Sequence, residues 1–136
     1  MAAHADNVPG WVRVVVGILA VVNIGFGVVG YFYTGLHFQG GAGIDLTNAI
    51  IKNAGYEFAS RNLAIGLALG FVTIIKGAPE ALVILTIVRA LIEIQTIIIS
   101  IAQGHIDAIL AVPAVFLVVE IFLIKTLVGV IKLEEK

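Results

Sequence analysis

Four apolar runs, at residues 12–32, 58–75, 80–102 and 108–131, leave this chain of 136 residues few ways to fold. A helix needs about 20 residues to cross the hydrocarbon of a bilayer. In lipid every backbone polar group must be satisfied by the protein itself, which a helix does within each segment. The runs therefore predict an all-α integral membrane four-helix bundle, a single domain over residues 1–136. Composition agrees. Hydrophobic residues make up 60% of the chain and charged residues 12%, with a mean hydropathy of +1.12, whereas soluble domains carry about 25% charged residues. The net charge of -1 offers no basic surface for nucleic acid. The lack of cysteine excludes disulfides, thiolate chemistry and Cys-based zinc sites. The first run has neither the basic leader nor the A-x-A site of a cleaved signal peptide, and it is read as a retained span.

Arg13, Lys76, Lys132 and Lys136 fall on one side of these spans, with Lys125 leaning towards it, against Lys52 and Arg61 on the other. Lys and Arg accumulate on the cytoplasmic side. Both termini are thus expected in the cytoplasm, at a bacterial or archaeal plasma membrane. KGAPE (76–80) reads as a tight cytoplasmic turn and QGHID (103–107) as a short external one. The longest connection is external. In it Asp45 can cap a short amphipathic helix that Gly55 ends, with Leu46, Ala49 and Ile50 on one face. Such a helix either lies at the interface or closes over a cavity.

The third run carries the most expensive residues. Thr86, Arg89, Glu93, Thr96, Ser100 and Gln103 recur at spacings of 3, 4, 3, 4 and 3, which is one helix face. An intramembrane charge costs about 2.5–3.5 kcal/mol on the insertion scale, so this face should point inward to partners at matching depth. With a rise of about 1.5 Å per residue, Arg89 lies about 14 Å from the cytoplasmic end of its run. Glu120 lies about 18 Å from the external end of the fourth run, close to the midplane. Asn23 falls at a similar level. Two ion pairs are expected, Arg89 with Glu120 and Arg61 with Glu93, with Asn23 adding a hydrogen bond and Glu57 able to share Arg61. Lys125 is close enough to the cytoplasmic interface to snorkel. Intramembrane ionisable groups are candidates for ligand or proton handling, and equally for a structural lock on helix register.

GFGVVG (25–30) matches a dinucleotide fingerprint, but that motif requires a preceding strand. Inside a spanning helix its glycines, like those of GLALG (66–70), let another helix approach closely, within the chain or in a homodimer. His37, His105 and Asp107 are external and either form an open metal site or stand solvated. Pro113 should shape the start of the fourth helix. No Ser/His/Asp set, HExxH or P-loop is present.

The plan resembles the DoxX-like group of small four-helix bacterial membrane proteins. The resemblance rests on YEFASRNLAIGLALG (56–70), the Arg89-containing third helix and the Gly104 turn. It covers about the last two-thirds of the chain; the long external loop and the Asn23 helix have no counterpart in it. It implies a connection to quinone or to a partner in a membrane redox complex, and no catalytic residue.

The expected protein is not an enzyme on its own. It is a small membrane subunit that assembles with itself or with a larger complex. Its polar core of Asn23, Arg61, Arg89, Glu93 and Glu120 would hold the helices together and bind a small amphipathic ligand. One alternative is a proton-coupled carrier of a small solute that titrates Glu93 or Glu120. Another is a quinone-linked oxidoreductase subunit that depends on a partner for its cofactor.

Overall fold

A computed structural model describes residues 8–33, 47–75, 78–102 and 110–134. Among them the chain is all-α: α1 (Gly10–Phe32), α2 (Ala49–Ile74), α3 (Pro79–Ala102) and α4 (Ala111–Glu134). All four are long and apolar enough to cross a membrane, α2 being the least apolar. The chain divides into two compact units, Val14–Phe71 and Met1–Arg13 with Val72–Lys136.

In the first unit α1 and α2 meet through glycine. A Cβ added at Gly66 would lie 2.7 Å from the Ile24 nitrogen and 2.9 Å from the Ala20 carbonyl oxygen. One added at Gly27 would lie 2.7 Å from the Leu63 nitrogen, and one at Gly70 3.8 Å from the Ala20 Cβ. Contacts that climb α1 therefore descend α2, so the helices run antiparallel. Lipid supplies no hydrophobic drive between helices, and close backbone approach takes its place. The sequence reading of these glycines holds for Gly27 and Gly66. Gly25 has nothing within 4 Å of an added Cβ.

The structure departs from expectation along α2. Residues 49–54 do not form a separate short helix ended by Gly55. They are the first turns of one helix of 26 residues, and Gly55 is buried within it. A glycine in a helix interior costs only about 1 kcal/mol relative to alanine, too little to stop a helix with good helix formers on both sides. The cap is Asn48, whose Oδ1 accepts from the Ile50 amide at 2.9 Å. Asp45 and Leu46, expected at this start, lie outside the described residues.

In the second unit α3 and α4 pack along each other. The eight residues between Ala102 and Ala111 are too few to run back along a helix of about 36 Å, so this pair is also antiparallel. Pro79 opens α3, where its missing amide proton leaves no helical bond unmade. Pro113 lies in the first turn of α4 and is buried. The first turn of α1 belongs to this unit, with the Trp11 ring 5.8 Å from that of Phe122.

Candidate functional site

The inward face of α3 follows a heptad rhythm. Pro79, Leu82, Thr86, Arg89 and Ser100 are buried, and Glu93 and Thr96 are half-buried. On α4 the matching seam is Pro113, Phe116, Glu120, Leu123 and Leu127, buried except for half-buried Phe116. Alternating steps of three and four residues suit the shallow crossing of left-handed helix pairs. The polar stripe read from the sequence is this seam as far as Ser100; Gln103 lies outside the described residues.

Two uncharged members of the stripe, Thr86 and Thr96, are satisfied locally. The Thr86 hydroxyl donates to the Leu82 carbonyl at 2.7 Å, and the Thr96 hydroxyl donates to the Ile92 carbonyl at 2.9 Å. Thr126 on α4 does the same to Phe122. In α1 the buried Asn23 amide donates to Leu19 at 2.7 Å. Such back-bonding removes the cost of a hydroxyl or amide in lipid without another helix.

The charges are what join the two helices. Arg89 Nη2 donates to Glu93 Oε1 at 2.7 Å, one turn along its own helix. Arg89 Nε lies 3.1 Å from Glu120 Oε1 on α4. The guanidinium also sits over the Phe116 ring, 4.8 Å from its centroid, in cation–π reach. The Arg89 side chain is 5% exposed, Glu93 14% and Glu120 0%. The pair expected from depth, Arg89 with Glu120, is present.

The sequence pairs Glu93 with Arg61; within its own unit its carboxylate accepts from Arg89. An i,i+4 partner is already on the same face and needs no tertiary placement. Arg61 is exposed, as is Glu57. Their position in the first half of α2, with Lys52 and Asn53 also exposed, gives α2 its lower apolarity. Lys125 is exposed on α4, as a snorkelling side chain requires. His37, His105 and Asp107 lie outside the described residues. Among those described, no group of three or more His, Cys, Asp or Glu could hold a metal ion.

Two contributors escaped the sequence reading. Phe116 precedes Glu120 by four residues, and that spacing was the available signal. Gln95 is the other. Ile84, Val88, Leu91, Gln95, Ile98 and Ala102 form a second stripe on α3, at spacings of 4, 3, 4, 3 and 4, and every member is exposed. One amide interrupts an otherwise apolar outer face at membrane depth.

No protein-family model, curated protein or solved structure matches the chain. The likeness to DoxX-like proteins therefore rests on residue pattern alone. The chain stands as an integral membrane protein of four spanning-length helices with a buried Arg–Glu cluster.

Proposed function

We propose that this protein is a non-enzymatic membrane subunit that assembles laterally, with another copy of itself or within a larger membrane complex. Gln95 carries the reading. An amide facing lipid leaves its donors and acceptor unmet, and polar side chains at such positions associate helices. A single polar residue in an apolar heptad stripe also fixes register. The buried cluster serves as the lock that keeps α3 and α4 in one arrangement while the outer face of α3 is engaged. The excess of Lys and Arg near one set of span ends supports termini in the cytoplasm.

The test is native mass spectrometry of the protein released gently from its own membrane. A stoichiometric complex that Gln95→Leu weakens is expected. A monomer whose state is indifferent to Gln95→Leu contradicts the reading.

A second reading is a proton-coupled carrier of a small solute, favoured by a fully enclosed carboxylate at Glu120. It predicts proton-dependent uptake into proteoliposomes that Glu120→Gln abolishes; uptake that survives the substitution removes this reading.

A further inference from the structure

The Arg89 cluster contains one cation and two carboxylates, so with every group ionised its charge is 1 − 2 = −1. An unbalanced charge enclosed in a low-dielectric seam costs several kcal/mol, and such a group neutralises rather than persists. We infer that the seam is a proton-binding site, with one proton resident on the Glu120 carboxyl group at neutral pH.

Three observations place the proton on Glu120 rather than Glu93. Glu93 receives a short charge-assisted hydrogen bond from Arg89, at 2.7 Å, which favours the ionised form. Glu120 is wholly enclosed. Although its Oε1 lies 3.1 Å from Arg89 Nε, neither of its oxygens has a hydrogen-bond partner. A buried carboxylate normally collects several donors, and this one has none aligned on it.

The charged groups acting on Glu120 are Arg89 and Glu93, both from α3. On its own helix Lys125 and Lys132 are exposed, as is Glu80 at the start of α3. Arg13, half-buried in the first turns of α1, and Glu134, the last residue of α4, are the remaining described charges on the helices of this unit. A metal cation is the poorer occupant, because hard cations demand six or more oxygen ligands and the described residues offer no cluster of three ligating side chains. The proton comes from water and adds to one carboxylate oxygen, leaving the cluster neutral. This site stands under either functional reading, since it requires only that the α3–α4 seam lies in the bilayer.

The experiment is infrared difference spectroscopy of the full-length protein in lipid nanodiscs, with its glutamates labelled with carbon-13. The expected result at neutral pH is a protonated-acid carbonyl band that shifts with the label, is lost in Glu120→Gln and survives in Glu93→Gln. Absence of the band in the wild type overturns the proposal, as does a band retained in Glu120→Gln. Should Glu120→Gln fail to insert, the wild type decides alone. A label-sensitive acid band that exchanges slowly in heavy water supports the site. A band that is missing, or that exchanges as fast as a surface carboxyl, contradicts it.

Discussion

The two helix pairs solve one problem by opposite means. In α1–α2 side chains are removed where the helices meet, and backbone meets backbone at Gly27 and Gly66. In α3–α4 long charged side chains reach across, and Arg89 gathers Glu93, Glu120 and the Phe116 ring. Dispersion between close backbones is unspecific in chemistry but demanding in shape. An ion cluster is demanding in chemistry and, when incomplete, severely destabilising. The glycine pair should therefore be sensitive to added volume and the charged pair to removed charge.

The largest effect expected from a single change is in the charged pair. Arg89→Ala strands two carboxyl groups in the seam and should cost about 3–5 kcal/mol, read as loss of resistance to unfolding in mixed micelles. In the glycine pair, Gly66→Ala should cost about 1–3 kcal/mol by overpacking, because the new methyl would press on the Ile24 and Ala20 backbone. A loss well below this range would show that the helices separate easily and that the contrast between the pairs is shallow. Asn48→Ala removes the cap of α2 and should cost about 1 kcal/mol, seen as faster amide exchange confined to the first turn.

The smallest effect has the opposite sign. Gly25→Ala meets nothing within 4 Å and should gain up to about 1 kcal/mol through helix propensity. A loss there would mean that Gly25 faces another copy, making part of GFGVVG an external contact as well as an internal one.

Much of this contrast was legible in the sequence, for identifiable reasons. The spacing of Thr86, Arg89, Glu93, Thr96 and Ser100 fixes a face, since five polar groups recurring at helical spacing would be too costly turned to lipid. Depth along the spans matched Arg89 to Glu120, because rise per residue is constant. The same arithmetic did not find Arg89 as the partner of Glu93. Depth says which residues share a level, and it overlooked the partner already present one turn along the same helix. The start of α2 was missed for a different reason. Gly55 read as the end of a short separate helix, yet a helix leaving the apolar layer passes through one glycine and needs only backbone hydrogen bonds and a cap. Gln95 went unnoticed because a lone amide in an apolar run carries no periodic signal until burial separates the inner stripe from the outer one.

The central claim is that Arg89 and Glu120 act as a unit joining α3 to α4. A double-mutant cycle tests it most directly, with Arg89→Ala, Glu120→Ala and the combined variant unfolded in the same micelles. Coupled groups should show an interaction energy of about 0.5–3 kcal/mol, with the double variant recovering much of the loss caused by Arg89→Ala alone. Strictly additive losses would contradict the claim, reducing the 3.1 Å approach of the two side chains to proximity without coupling.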